Sequence, residues 1–343
     1  MKNGKTIILG IETSCDETAA AVTADGREVL SNIIASQIDV HAVFGGVVPE
    51  IAARHHLTAI GGIVDEALRK AGVSTKEVDA IAVTKGPGLV GAVLIGLAAA
   101  KAMAYAMGLP LVGVHHIKGH ICAALLEHPE LEPPFLALVV SGGHTSLIEV
   151  SGLGGADGDM KVLGRTRDDA AGEAYDKVAR VLGLGYPGGP LVDKLAKEGD
   201  PNAVRFKRTM LEDGSLDFSF SGLKTAVINY THTLKQAGTP FRSADVAASF
   251  QQAVIDVLAE KTRQSLVLTG YTRLVLAGGV ASNSALRQRL REMSEGMGVK
   301  LFIPSPVFCT DNAAMIACAG YYEYMAGRRD ALDLDACATL PLV

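Results

Sequence analysis

Two histidines four residues apart are the first feature of this sequence that could carry chemistry. His116 and His120 frame the segment HIKGH, which follows a short apolar run. On a helix, side chains at i and i+4 lie one turn apart on one face, close enough to bind one metal ion. The same spacing also arises by chance on polar helix faces, so both interpretations stay open. A metalloprotease would need HExxH, but Ile117 occupies the position of the glutamate base.

Glycine-rich turns after apolar strands are the second chemical signal. Residues 141–145 (SGGHT) follow the run FLALVV, and consecutive small residues expose backbone N–H groups that can surround phosphate oxygens. An ordinary hairpin turn would look the same. Residues 277–283 (AGGVASN) join a strand to a helix N-terminus, which favours anions and adenine nucleotides. The segment lacks GxGxxG spacing, so a Rossmann dinucleotide site is not supported.

Two further segments are open to a functional or a structural interpretation. Residues 185–190 (GYPGGP) predict a rigid turn, which could approach a ligand or simply join two helices. Asp168, Asp169 and Glu173 could be catalytic carboxylates, yet acidic residues that open a helix usually interact with its dipole.

The elements that must position these residues follow a repeated plan. Thr6–Thr23 and Phe135–Val150 each predict a strand, a polar turn and a second strand, which together form a β-hairpin. Recurrence of this unusual polar turn indicates an internal duplication. The other predicted strands are Ala80–Val83, Leu111–Val114 and Leu274–Ala277, and the predicted helices are Ala53–Ala71, Gly91–Met107, Glu173–Leu182 and Ala244–Leu268.

This alternation of strands and helices predicts an α/β fold. The helix 91–107 is almost wholly apolar, hence we expect it to be buried. A proline-rich segment at 129–134 predicts a domain boundary.

Composition limits the class of protein. The 343 residues suit two domains, and 48% hydrophobic with 20% charged residues describes a globular chain. The longest stretch without charged residues or histidine, 86–100, is shorter than the roughly 18 residues of a membrane span, and the first apolar run is too short for a signal peptide. Five cysteines without a CxxC pair suit reduced thiols in the cytosol. A net charge of −5 does not by itself indicate a nucleic-acid partner.

Nine segments taken together carry a family resemblance, although none is decisive singly. The chain resembles the tRNA N6-adenosine threonylcarbamoyltransferase family in its bacterial TsaD form, formerly called O-sialoglycoprotein endopeptidases or glycoproteases. The segments run in family order over nearly the whole chain: GIETSCDETAAAV (10–22), SQIDVHAVFGGVVPEIAARHH (36–56), VTKGPGLVGAVLIG (83–96), VHHIKGHICA (114–123), LVVSGGHTSL (138–147), DDAAGEAYDKVARVLGLGYPGGP (168–190), FSFSGLKTAV (218–227), LAGGVASN (276–283) and FCTDNAAMIA (308–317).

The resemblance implies the ASKHA fold, the actin-like ATPase and hexokinase-like arrangement of two duplicated subdomains, each a central mixed sheet flanked by helices. Residues 1–132 would form the N-terminal subdomain with the metal-binding helix. Residues 133–343 would form the C-terminal subdomain with the nucleotide and adenylate loops, and its last helix could pack back on the first subdomain. The implied metal ligands are His116, His120 and Asp311, with one divalent ion per subunit, iron (Fe²⁺) first and zinc second. The implied substrate-binding residues are Val139, Val140, Ser141, Gly142, Gly143, Asp176, Gly189, Asp193 and Asn283. No residue stands out as a general base.

The resemblance also implies the reaction. A threonylcarbamoyl group would pass from threonylcarbamoyl-AMP to the N6 amine of the adenosine next to the anticodon, in tRNAs reading codons that begin with adenine, with release of AMP. ATP or ADP would occupy the glycine-loop site. The implied partners are tRNA, an inactive paralogue of the same fold, a small P-loop ATPase and the threonylcarbamoyl-AMP synthase that supplies the donor, all in the cytoplasm.

Four other functions fit the sequence less well. A glycoprotease lacks HExxH, and a sugar or acetate kinase of this fold would not need the paired histidines. An antibiotic O-carbamoyltransferase carries a fused carbamoyl-adenylating domain, for which 343 residues leave no room. An inactive scaffold would have no need of His116, His120 and Asp311.

Overall fold

A computed structural model describes residues 4–154, 159–211 and 214–342, and the chain divides into two compact units. Unit 1 comprises Met1–Pro133, Val150–Lys161 and Pro304–Val343, and unit 2 comprises Pro134–Glu149 and Val162–Ile303. The chain first passes from unit 1 to unit 2 within the proline-rich segment that predicted a boundary. Residues 304–343, assigned from the sequence to the second subdomain, lie in unit 1 because their last helix packs there.

Strands and helices alternate along most of the chain. The strands are β1 (Ile7–Glu12), β2 (Glu17–Ala24), β3 (Glu28–Ser36), β4 (Ala80–Gly86), β5 (Leu111–His115), β6 (Phe135–Val140), β7 (Thr145–Val150), β8 (Met160–Arg165), β9 (Arg273–Ala277) and β10 (Lys300–Phe302). The α-helices are α1 (Ile38–Ala42), α2 (Pro49–Ala71), α3 (Val90–Met107), α4 (His116–Ala123), α5 (Ala171–Val181), α6 (Gly188–Ala196), α7 (Ser221–Gln236), α8 (Ser243–Thr269), α9 (Ser284–Met297), α10 (Pro306–Cys309) and α11 (Ala313–Met325). Short 3-10 helices cover Thr75–Glu77, Ala124–Leu126 and Gly279–Ser282.

The two sheets have the same strand order, which confirms the predicted duplication. One sheet runs β3-β2-β1-β4-β5 and the other β8-β7-β6-β9-β10. Each hairpin predicted from the sequence therefore occupies the same place in its own sheet. In unit 1, β2 pairs antiparallel with β1 and β3, whereas β4 pairs parallel with β1 and β5. In unit 2, β9 is parallel to β6 and β10.

The centre of unit 1 is strand β1, every residue of which is buried. Helix α11 packs on β1, and Gly10 allows the close approach. A Cβ on Gly10 would lie 2.4 Å from the carbonyl oxygen of Ala313. The first eight residues of α11 are buried and mostly small. Small side chains on both elements therefore let α11 lie close to the sheet.

Helix α3 corrects two expectations. Its apolar sequence predicted burial, but Val90, Leu94 and Tyr105 are exposed, Tyr105 to 78%. Only one face packs against β4 and α2, so the outer face stays apolar and uncovered. By length and composition α3 could also span a membrane, contrary to the sequence estimate. A third of the helix is buried inside the fold, and core helices also meet this criterion.

Two helices begin at residues that differ from the prediction. Helix α2 begins at Pro49, four residues earlier than predicted, because proline suits the first turn, where its missing N–H is not needed. The predicted rigid turn at 185–190 is only partly a turn. Its last three residues, Gly188–Pro190, form the first turn of α6. Proline is compatible with that position for the same reason.

Candidate metal centre and glycine-lined site

His116, His120 and Asp311 lie together in unit 1. One ligand atom from each falls within 4.8 Å of the others. Asp311 Oδ1 is 3.6 Å from His116 Nε2 and 3.2 Å from His120 Nε2. Both histidines are buried on α4, one turn apart. Two imidazoles and one carboxylate form a ligand set that suits iron or zinc and leaves coordination positions open.

Close packing of α4 against α11 brings Asp311 to the histidines. Gly119 lies on α4 between the two histidines in sequence, and a Cβ on Gly119 would come within 2.7 Å of Ile316 Cδ1 on α11. Asp311 stands just before α11. The next residue, Asn312, caps that helix by accepting a hydrogen bond from the Met315 N–H at 3.0 Å. The cap therefore fixes where the chain enters α11 and, with it, the position of Asp311.

The state of His120 supports a metal ion at this place. The side chain is fully buried, and neither ring nitrogen makes a hydrogen bond to any residue that the structure describes. A buried polar group without a partner costs about 1–3 kcal/mol. A cation bound to His120 would supply the missing interaction, so the residues present fit a metal site.

Glu12, which the sequence analysis missed, orients His116. Its Oε2 lies 3.0 Å from His116 Nδ1, and the carboxylate also accepts bonds from the Ser14 N–H and the Thr84 hydroxyl. This carboxylate–histidine contact leaves Nε2 directed to Asp311, as is usual for metal-binding histidines. The available signal was a glutamate that ends a wholly apolar strand, IILGIE.

Electrostatics couple these groups. Burial lowers the pKa of His116, but the charges of Asp311 and Glu12 outweigh it and raise that pKa to about 9. Burial raises the pKa of Glu12, whereas the charge and hydrogen bond of His116 bring it to a net value below normal. The metal-free centre therefore holds a proton on His116, which a bound cation would displace.

The β1–β2 turn, residues 13–16, brings further acids close to the centre. Burial, together with the charges of Asp311 and Asp16, raises the pKa of Glu17 at the start of β2 to about 10. Burial also raises the pKa of the Cys15 thiol in this turn. Two glycines of the motif GPGLVGAVLIG let this turn dock: a Cβ on Gly88 would lie 2.6 Å from the Ser14 oxygen, and one on Gly96 2.3 Å from Thr13 Oγ1.

Glu17→Gln is expected to stabilise the metal-free protein at pH 8, by an amount on the order of 1 kcal/mol. Glu17 stays protonated when folded but ionises when unfolded, so wild-type stability falls as pH rises from the unfolded pKa toward about 10. Glutamine removes this dependence. Urea unfolding of the wild type and the variant at pH 5 and pH 8 gives the free energy of unfolding of each protein. If the two proteins differed by the same free energy at both pH values, the raised pKa of Glu17 would be contradicted.

In unit 2, the β6–β7 turn, residues 141–144, contains two glycines whose backbone is not covered by side chains. The side chains of Val139 and Val140 are buried, so any contact of these residues with a ligand would be through their main chains. Nothing lies within 4 Å of where a Cβ would stand on Gly142 or Gly143. Gly278, with φ +90°, packs its backbone against Val140, where a Cβ would meet the carbonyl oxygen at 2.4 Å. This contact brings the AGGVASN segment beside the turn.

Three other predicted residues of unit 2 belong to two hydrogen-bonded groups. Asp176 accepts a bond from the Gly188 N–H at 2.8 Å, next to Gly189, whose Cβ position is open. Asp193 and Asn283 are joined through Gln251, at 3.2 Å and 2.8 Å. Gln251 lies on α8 and was missed by the sequence analysis. The spacing of apolar residues along a long helix does not show which of its glutamines is buried and bonded to other residues. The open glycines and this network fit an adenine nucleotide.

Comparison with known proteins identifies the family. The sequence profile of the TsaD family, tRNA N6-adenosine threonylcarbamoyltransferase, matches residues 28–318. Proteins of that name from Moorella thermoacetica and Clostridium perfringens (strain SM101) are 57% and 54% identical to this chain. Each alignment covers 98% of this chain and 98% of the relative.

Solved structures agree on the fold. HypF from T. kodakarensis matches 94% of this chain and 48% of its own, with a TM-score of 0.63 and 16% identity. Component A of the Acidaminococcus fermentans (R)-2-hydroxyglutaryl-CoA dehydratase matches 94% of this chain and all of its own, with a TM-score of 0.55 and 16% identity. These matches confirm the predicted ASKHA fold. The chain belongs to the TsaD family of tRNA N6-adenosine threonylcarbamoyltransferases and is a transferase that modifies adenosine in tRNA.

Proposed function

We propose that the donor is threonylcarbamoyl-AMP and the acceptor is the adenosine next to the anticodon, in tRNAs reading codons that begin with adenine. The N6 nitrogen forms a bond to the carbamoyl carbon, the bond from that carbon to the phosphate oxygen breaks, and AMP leaves with the electron pair while the amine loses a proton. An exocyclic adenine amine is a poor nucleophile, which is why an activated mixed anhydride suits the reaction. The observation that carries the proposal is the His116–His120–Asp311 cluster in a chain of this family.

Unit 1 would hold a divalent cation, with iron (Fe²⁺) as the first choice and zinc as the second. His116, His120 and Asp311 are its ligands, and Glu12 holds the His116 ring in place. When bound, the ion supplies Lewis acidity that polarises donor oxygens. The ligands leave positions open for those oxygens.

Unit 2 would bind the adenylate, and ATP or ADP at the same place. The exposed backbone of Gly142, Gly143 and Gly189 offers N–H groups for phosphate oxygens. The remaining proposed contacts are Val139, Val140, Ser141, Asp176, Asp193 and Asn283. Rigid placement of the adenylate lowers the barrier by fixing the direction from which the amine approaches. We name no general base.

Gln251→Ala is expected to weaken adenine-nucleotide binding about tenfold, because Asp193 and Asn283 lose the amide that joins them. Isothermal titration with ADP measures the change. Gln252→Ala is the matched control: Gln252 is the next residue on α8, and its amide bonds Asp256 instead. Equal affinity in the two variants would show that the network does not shape the nucleotide site.

The proposed partners follow the family. They are tRNA, an inactive paralogue of the same fold, a small P-loop ATPase and the synthase that supplies threonylcarbamoyl-AMP, and the proposed location is the cytoplasm. The proposed cation site argues against a scaffold role, because an inactive assembly partner has no use for a buried histidine whose ring nitrogens make no hydrogen bond among the described residues. The absence of HExxH in the sequence argues against a glycoprotease.

Nucleoside mass spectrometry tests the proposal. Unmodified tRNA is incubated with this protein, its partners, ATP, threonine and bicarbonate, and threonylcarbamoyladenosine is expected. Mixtures without threonine, or with His120→Ala in place of the wild type, are expected to give none. Unmodified tRNA in the complete mixture would refute the function. ATP consumption with a small acceptor and no tRNA would favour a kinase.

A further inference from the structure

The last segment of unit 1, residues 330–341, is hydrogen-bonded along β5 and at the end of β4. Its hydrogen bonds run from one strand to the other and reach the residue that precedes α4. They join Asp330 N to Leu111 O at 2.8 Å, Gly113 N to Asp330 Oδ2 at 2.7 Å, Cys337 N to Lys85 O at 2.8 Å, Gly88 N to Ala338 O at 3.2 Å and His115 Nε2 to Leu340 O at 3.1 Å.

Two glycines leave room for this segment. Gly86 has a φ of +143°, and a Cβ there would lie 2.2 Å from the carbonyl oxygen of Cys337. A Cβ on Gly113 would meet Leu334 Cδ2 at 2.6 Å. Leu334 also packs against the core of unit 1. The strands therefore accept the 330–341 segment at specific glycines, so its path is built into the fold.

His115 is the point at which this segment meets the metal-bearing helix. It is the N-cap of α4: its Nδ1 accepts a hydrogen bond from the Ile117 N–H at 3.1 Å. A nitrogen that accepts a hydrogen bond carries no proton, so the ring proton is on Nε2. Nε2 then donates to Leu340 O. Both ring nitrogens are satisfied in one tautomer, and the ring bridges the helix start and the 330–341 segment.

We propose that His115 is a positioning residue for the metal centre and that it acts by fixing the first turn of α4 to the 330–341 segment. The inference rests on the proposed metal site. Helix α4 has only eight residues, and His116 is its first. The N–H groups of a first turn depend on the cap for partners, so loss of the cap frays that turn. Fraying would displace His116 from His120 and Asp311.

Titration of the metal-free full chain with Co²⁺ tests this, followed by the visible absorption of the bound ion. His115→Ala is expected to bind Co²⁺ about tenfold more weakly, in line with the loss of an N-cap. His115→Asn is expected to bind within about threefold of wild type, because an asparagine oxygen can take the place of Nδ1 and accept from the Ile117 N–H, which keeps the cap of α4.

Two substitutions in the same segment serve as controls. Leu340→Ala keeps the backbone carbonyl and is expected to bind Co²⁺ as wild type does. Leu334→Ala loses packing, so its thermal midpoint is expected to fall while its Co²⁺ affinity stays unchanged. Wild-type affinity in His115→Ala, or equal weakness in His115→Asn, would overturn the positioning role. A wild-type protein that binds no Co²⁺ would instead refute the proposed metal site.

Discussion

Replacing Asp311 with alanine is expected to leave the purified protein without bound metal and to slow threonylcarbamoyl transfer at least about 100-fold. Asp311 supplies the carboxylate of the three-residue cluster, with its Oδ1 within 3.6 Å of both histidines. Loss of a group that only supports a ligand costs about 10–100-fold in metal affinity, so loss of a ligand should cost at least as much. Two imidazoles alone would keep only part of the site.

Two measurements on the same sample check this expectation. Elemental analysis gives metal per chain, and mass spectrometry of digested tRNA gives the rate of modification. Asp333→Ala is the control, because Asp333 is an exposed carboxylate in the same unit. Full transfer by a metal-free Asp311→Ala protein would remove the metal from the mechanism.

The second large effect is expected for Glu12→Gln, which should lower metal affinity about 10–100-fold with little change in side-chain shape. The carboxylate accepts from His116, the Ser14 N–H and the Thr84 hydroxyl. An amide offers one oxygen and an N–H₂ group, so at least one of these donors would face another donor. The His116 ring would lose the negative charge that holds its Nδ1 proton in place.

Glu17→Gln is the matched control for Glu12→Gln. It makes the same chemical change in a neighbouring acid whose bonds are to Ser36 and Asp16. We expect its metal affinity to stay within about threefold of wild type. Thr84→Val removes one donor to Glu12 and should fall between the two. Competition for Zn²⁺ against a coloured chelator ranks the three variants, and equal affinities would show that Glu12 does not orient His116.

Local pattern was enough to predict much of the fold. The hairpins, β9, α2, α5 and α8 appear where strand and helix periodicity placed them, with ends that differ by a few residues. The sequence also indicated the duplication, because a polar turn of this kind between two apolar strands is unusual and occurs once in each half of the chain. The spacing of apolar residues did not predict the exposed face of α3, because a helix that is apolar all round does not show which of its faces is left uncovered.

The candidate site depended on contacts that local pattern does not contain. His116 and His120 share one helix, so their spacing suggested a site. Asp311 reaches them only through the packing of α11 on α4, and it was named from the family resemblance. Glu12 and Gln251 act through hydrogen bonds to residues distant in sequence. A single sequence does not show which buried polar residues will meet.

The position of α11 in unit 1 has a consequence for synthesis of the chain. Residues 1–133 leave the ribosome first, yet strand β1 lacks the helix that covers one of its faces until residues 313–325 are made. Domains made first generally fold first. Here unit 2 is complete by residue 303, so we expect it to fold while unit 1 is still open. Asp311 emerges just ahead of α11, so we expect the core of unit 1 to close and the proposed cation site to be completed in one late step.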